Sequence, residues 1–167
     1  MRIIAIDPGY DRCGVAILEK LRGAKEAVLF SMCIETDKKS SFNERLSFIN
    51  NTCRELIENY APESMALERL FFNTNQKTAM HVAEVRGMLI QLANEMVLTY
   101  AEYSPPQVKL AVGGSGKASK SDVARMIELL VVLPPRNTSA KRKDDELDAI
   151  AVGLTHLACM PQKRLHV

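Results

Sequence analysis

The chain has 167 residues, 47% apolar and 25% charged, with a net charge of +2. That length builds one hydrophobic core and is short for two domains, and the composition excludes a disordered or fibrous chain. No run approaches the roughly 18 apolar residues of a membrane span and no basic-then-apolar leader follows Met1, so cytoplasmic residence without a membrane partner is expected.

Ile3–Ile6 reads as a buried strand, and Pro8-Gly9 turns the chain after it. Gly14–Glu19 and Ala27–Glu35 read as two further strands, and the short link Leu21–Ala24 makes them an antiparallel pair. Phe42, Leu46, Ile49, Cys53, Leu56, Ile57 and Tyr60 recur at helical steps, and Pro62 ends that helix. Ser64–Glu68 is a fourth strand. A long helix over Gln76–Val97 places Ala79, Val82, Ala83, Leu89, Ile90, Ala93 and Val97 on its apolar side. Should two copies of the chain pair, its length and mixed apolar surface would make it the contact.

Tyr100–Tyr103 is a fifth strand, stopped by Pro105-Pro106, which can also open a short helix through Val112. After the turn Gly113–Gly116, Ser119 and Asp122 have capping-box spacing for a helix to Leu130. Pro134-Pro135 breaks the chain, and Lys141-Arg142-Lys143 leads into a last helix. The order predicts a single α/β domain over 1–167: a five-stranded mixed sheet, its first three strands antiparallel, with helices on both faces. About the last eight residues read as a flexible tail. Cys13, Cys33, Cys53 and Cys159 form no C-x-x-C pair, which excludes a zinc ribbon and leaves reduced thiols.

Four acids stand out in this layout. Asp7 and Glu68 close two core strands, and a right-handed parallel crossover would set those strand ends side by side. In the last helix Leu147, Ile150, Ala151, Leu154 and Ala158 form an apolar stripe with Asp148 at its edge. At about 100° per residue, Asp145 lies about 60° from Asp148 on the solvent side and Asp144 about 40° from it. Geometry therefore leaves Asp144 and Asp145 undecided, and acids in a first turn also complement the helix dipole. A carboxylate at Asp148, beside the core, is costly unless paired or bound to a cation. A cluster of hard oxygen ligands at the edge of a sheet suits Mg²⁺ bridging to phosphate, which points to phosphodiester chemistry on nucleic acid.

The modest net charge is unevenly divided. Lys109, Lys117, Lys120, Arg125, Arg136, Lys141, Arg142 and Lys143 give the stretch 105–143 a net +6, leaving −4 for the remainder. A polyanion would thus be met by one face, with Lys109, Lys117 and Lys120 as phosphate contacts; the alternative is solvated surface. A P-loop is excluded, because Ala111 and Ala118 stand where its first Gly and its Ser/Thr belong. His81, His156 and His166 are too scattered for a metal site, and His156 reads as structural.

These segments together resemble the RuvC family of Holliday junction resolvases over nearly the whole chain. Ile6-Asp7-Pro8-Gly9 with Gly14 is similar to the family's opening motif, and Glu68-Arg69-Leu70-Phe71-Phe72 with Asn75 to its E-x-x-F-F segment. Val112 to Lys120 resembles its V-T-G-x-G-x-A-x-K loop, and Asp145-Glu146-Leu147-Asp148-Ala149-Ile150-Ala151 with His156 its D-x-x-D-A-L-A helix. Gly113 replaces the usual Thr, and Glu84 the usual Gln before Arg86-Gly87.

The resemblance implies a ribonuclease H-like fold and a homodimer making paired symmetrical nicks in a four-way DNA junction during recombination and repair, leaving 5′-phosphate ends. It also implies a branch-migration helicase complex as partner, and it selects Asp145 over Asp144. The implied site is Asp7, Glu68, Asp145 and Asp148 holding two Mg²⁺ ions, with Mn²⁺ as substitute. Asp7 would be the candidate to bridge both ions, which would supply activation of water and stabilisation of the leaving 3′ oxygen. One of Phe71 and Phe72, with Phe71 favoured, would stack on an unpaired base, and Arg12 and Lys77 are further DNA-contact candidates. Two other readings stand beside it: an actin-like or sugar-kinase-type phosphate-binding domain, which suits Asp7-Pro8-Gly9 but needs a second lobe, and a junction-binding protein without catalysis.

Overall fold

The backbone follows the apolar pattern closely. The structure, a computed structural model, describes residues 1–69, 76–135 and 141–160, without the side chains of 76 and 77. Phe71, Phe72, Asn75, Arg136, the Lys77 side chain and nearly all of the expected C-terminal tail therefore lie outside the described residues.

Strands β1 (Arg2–Asp7), β2 (Arg12–Glu19) and β3 (Glu26–Glu35) form an antiparallel meander. Helix α1 (Phe42–Tyr60) carries the chain over to β4 (Ser64–Glu68), which lies parallel to β1. Helix α2 (Gln76–Glu95) then leads to β5 (Thr99–Tyr103), parallel to β4. Helices α3 (Pro105–Gly113) and α4 (Lys120–Leu130) precede β6 (Val131–Val132), and α5 (Asp144–Cys159) completes the described chain. The sheet order is β5-β4-β1-β2-β3-β6. It has six strands where five were expected. The extra one, β6, is a two-residue parallel bridge to Glu26 and Ala27, too short to show any alternation in sequence.

Alternation along β1 separates two cores. Ile3 and Ala5 face α3, α4 and α5, together with Ala16, Leu18 and Ala66. Ile4 and Ile6 face α1 and α2, with Val15, Ile17, Ile49, Cys53 and Leu89. The expected capping box of Ser119 with Asp122 is formed, and Ser41 with Glu44 makes another at α1.

Two helix expectations need correction. Helix α2 stops at Glu95, because Leu98 N–H bonds to Ala93 C=O and Val97 N–H to Asn94 C=O. That is a Schellman closure with Val97 in the left-handed region at φ 56, so Val97 is 89% exposed rather than apolar contact. Val85 and Leu92, absent from the expected stripe, are buried instead. Helix α5 is buried around most of its circumference from Ala149 to Leu157, and Ala158 is exposed. A helix lodged between a sheet and two other helices has no single apolar face to reveal in its periodicity.

Candidate active site

Strand parity decides where the acids point. Asp7 has the parity of Ile3 and Ala5, and Glu68 that of Ala66, so both carboxylates leave the sheet on the α5 side. Parallel pairing of Ile6 with Leu67 sets Asp7 and Glu68 next to each other at the carboxyl ends of adjacent strands.

Gly14 completes the approach. It pairs with Asp7 across β1 and β2, and a Cβ on it would lie 1.9 Å from the backbone oxygen of Asp145. Only a residue without a side chain lets the first turn of α5 settle against β2 beside Asp7. Farther along, a Cβ on Gly153 would meet Leu18 Cδ1 at 2.4 Å, so the same close contact continues down the helix.

Three chain segments therefore bring Asp7, Glu68, Asp145 and Asp148 together. Asp7 feels them all: burial first, then Glu68, Asp148 and Asp145, raise its pKa to about 8. Burial also raises Glu68, opposed by Asp7's hydrogen bond and by the charges of Lys120 and Lys109. Burial and mutual repulsion thus disfavour two full negative charges on the pair.

Asp145 Oδ2 is 3.2 Å from Arg12 Nε and 3.9 Å from Cys33 Sγ. Asp148 Oδ2 is 3.2 Å from Lys120 Nζ. The exposures of these two acids invert the helical-wheel expectation: Asp145 is 18% exposed and Asp148 34%, because β2 covers the side of α5 taken for solvent. Asp144 is exposed and lies on the outer flank, where it lines a 170 Å³ cleft between α4 and α5 with Lys120, Ser121, Leu147 and Asp148.

Among the described residues no three His, Cys, Asp or Glu side chains stand as a formed metal shell. The acids face their partners in pairs. The donor chemistry nonetheless fits a hard divalent cation, since all four groups are carboxylates and the charge burden on Asp7 is one that a cation relieves.

Of the basic candidates, Lys109 and Lys120 are near enough to act on Glu68, and Lys117 is exposed in the turn between α3 and α4. Arg12 opens β2, and its guanidinium is engaged with Asp145. Part of the +6 segment faces inward. Arg142 Nε is 3.3 Å from Glu146, a 3% exposed acid that also accepts a 2.7 Å bond from Ser31, and Arg142 Nη2 donates to Pro134 C=O at 3.1 Å. Lys143 pairs with Glu35.

Arg142 was counted only as part of the basic stretch, and its pairing with Glu146 was passed over; their i,i+4 spacing was the available signal. Cys33 and Arg45 were also passed over, and only the fold locates them. His156 lies away from the acids, its ring nitrogens 2.9 Å from Ser64 Oγ and 2.8 Å from Tyr103 Oη. That relay is triad-like, yet Ser64 is fully buried, so it ties α5 to β4 and β5.

Comparison with known proteins agrees with this layout. The family model described as crossover junction endodeoxyribonuclease RuvC matches residues 3–156. A protein of that name from Moorella thermoacetica is 40% identical over 98% of this chain and 95% of its own length. Another, from Brachyspira hyodysenteriae, is 38% identical over 93% of each. The structure of T. thermophilus RuvC in complex with Holliday junction substrate superposes with a TM-score of 0.85 at 29% identity, covering 94% of this chain and 93% of that one. The yeast mitochondrial Holliday junction resolvase shares the fold, with a TM-score of 0.69 at 14% identity over 92% of this chain and 76% of that one. The sheet order, the placement of the acids and these matches lead to one assignment: the chain belongs to the RuvC family of crossover junction endodeoxyribonucleases.

Proposed function

We propose that this chain resolves four-way DNA junctions by nicking two strands symmetrically, as a homodimer in the cytoplasm, supplied with junctions by a branch-migration helicase. The observation that carries this reading is the convergence of four carboxylates, from three separate segments, at one end of the sheet beside Lys109 and Lys120.

Asp7, Glu68, Asp145 and Asp148 would hold two Mg²⁺ ions, or Mn²⁺ in their place, which would supply activation of a water and stabilisation of the leaving 3′ oxygen. The chain itself supplies the positioning. Lys109, Lys117 and Lys120 draw in the phosphate backbone, and Lys120 and Arg12 hold Asp148 and Asp145 in their orientations. Phe71 or Phe72 stacks on a base opened at the junction centre, and Lys77 adds a contact. Helix α2, with an exposed Gly87, is the contact between copies.

The test is cleavage mapping on a synthetic four-way junction with Mg²⁺. Paired nicks at symmetry-related positions, with 5′-phosphate ends, are expected. Junction binding without cleavage would favour a non-catalytic binding protein, and nicking of only one strand would overturn the dimer.

A further inference from the structure

The turn that follows Asp7 is held by one buried cation from another layer of the fold. Arg45, in the first turns of α1, is 9% exposed. Its Nε donates to Thr36 Oγ1 at 2.8 Å and its Nη2 to Tyr10 C=O at 2.9 Å, and the same nitrogen pairs with the Asp11 carboxylate. The guanidinium carbon also lies 4.9 Å from the centre of the Tyr10 ring, which Phe42 and His81 hold at 6.2 and 5.1 Å. Thr36 closes the arrangement: its hydroxyl donates to Tyr10 C=O at 2.7 Å and its N–H to Asp11 C=O at 3.1 Å.

These bonds, directly or through Thr36, converge on Tyr10 and Asp11, and the turn containing them has two functional ends. One is Asp7. The other is Arg12, whose guanidinium holds Asp145. The turn is tight, since a Cβ on Gly9 would lie 2.0 Å from Arg12 C=O, so a shift at Tyr10 or Asp11 reaches both ends.

We propose that Arg45 is a positioning residue for the nuclease reaction: by clamping the Tyr10-Asp11 turn it sets the separation of the Asp7 and Asp145 carboxylates. This deepens the resolvase reading and rests on it. The planar fork of arginine is needed, because its nitrogens serve Thr36, Tyr10 C=O and Asp11 at once, which a lysine ammonium cannot do from one point.

The experiment uses the full-length protein with Arg45→Lys, Arg45→Met and Thr36→Val. Arg54→Ala serves as control; it breaks the 2.5 Å pair with Glu95 on the opposite part of α1. Four readouts are taken: kcat on a four-way junction at saturating DNA, junction Kd without divalent metal, Mn²⁺ affinity by calorimetry, and thermal unfolding. Arg45→Lys should lose on the order of 10- to 100-fold in kcat, the scale of an ångström-level misplacement. Its Mn²⁺ affinity should weaken about tenfold, the lower end of the loss on removing a ligand's support. Junction Kd should stay within about twofold, and high Mn²⁺ should restore part of the rate. Thr36→Val should shift the same quantities in the same direction by less, and it keeps the test alive if Arg45→Met does not fold.

Wild-type kcat and Mn²⁺ affinity in folded Arg45→Lys and Thr36→Val would overturn the proposal. So would losses that only track the unfolded fraction or appear equally in Arg54→Ala. Failure of the wild type to nick a junction it binds would instead overturn the resolvase reading.

Discussion

The two faces of the sheet are built on opposite principles. Toward α1 and α2 the strands present Ile4, Ile6, Val15, Ile17 and Leu67, large side chains that interdigitate with Ile49, Leu89 and Leu92. Toward α5 they present Ile3 and Leu18 at the far end, but Ala5, Gly14, Ala16 and Ala66 toward the acids, and α5 answers with Ala149 and Gly153. The first face gains stability from buried aliphatic area. The second gives up bulk so that a helix backbone can come close, and the acids at the mouth of that contact end up near one another. Chemistry thus sits at the end of that face where small residues let the helix backbone come close.

Breaking the α5 face should damage activity most. Asp7→Asn is expected to abolish junction cleavage, by more than the roughly 10- to 100-fold typical of removing a ligand's supporting neighbour, while gel-shift affinity for the junction survives. The same change removes the most burdened acid of the cluster, so the unfolding temperature should rise by a few °C. A fall in that temperature would show the carboxylate to be a structural necessity.

Gly14→Ala is next. Its Cβ cannot share space with Asp145 C=O, so α5 must move away from β2. A loss of about 100-fold in kcat is expected together with about 1–3 kcal/mol of stability, read by cleavage assay and urea unfolding.

On the aliphatic face the pattern should reverse. Ile49→Ala leaves a cavity worth about 2–5 kcal/mol, yet the kcat of the folded fraction should stay near wild type. An equal loss of kcat would erase the distinction between the faces.

His156 offers a milder probe, because the α5 side also buries polar groups. Burial lowers its folded pKa below the ordinary 6.5. Both states are neutral above that value. As pH falls below it the unfolded chain takes up the proton first, so stability is lost down to the folded pKa, with a slope of at most about 1.4 kcal/mol per pH unit. Urea unfolding between pH 7.5 and about 5 measures this slope, and substituting His156 by Gln should remove its contribution.

The smallest effect belongs to the end of α2. Val97→Gly relieves a β-branched residue at positive φ and should stabilise by about 0.5–1 kcal/mol with cleavage unchanged.

Most of the fold was legible because local signals and burial agree. Ser64–Glu68 reads the same in sequence and in structure, and Phe42–Tyr60 is bounded by the residues its apolar steps name. Legibility failed where a partner element, absent from any local window, decided the outcome. The pairing of β6 depends on β3, and the stop at Glu95 depends on a backbone conformation that Val97 does not advertise. Asp145 was placed on the solvent side of α5 because a helical wheel cannot know that β2 covers it.

By itself the sequence determined the order of elements other than β6, the closing of β1 by Asp7 and of β4 by Glu68, the acidic start of the last helix and the basic segment before it. These follow from periodicity and from residue chemistry, which act over a few residues. Tertiary structure alone decided that Asp7 and Glu68 leave the sheet on the same side, that Gly14 admits Asp145 beside them, and that Arg45 reaches across to hold the turn between Asp7 and Arg12. Those facts depend on strand register and on contacts between residues tens of positions apart. Close packing, which local pattern does not encode, sets them.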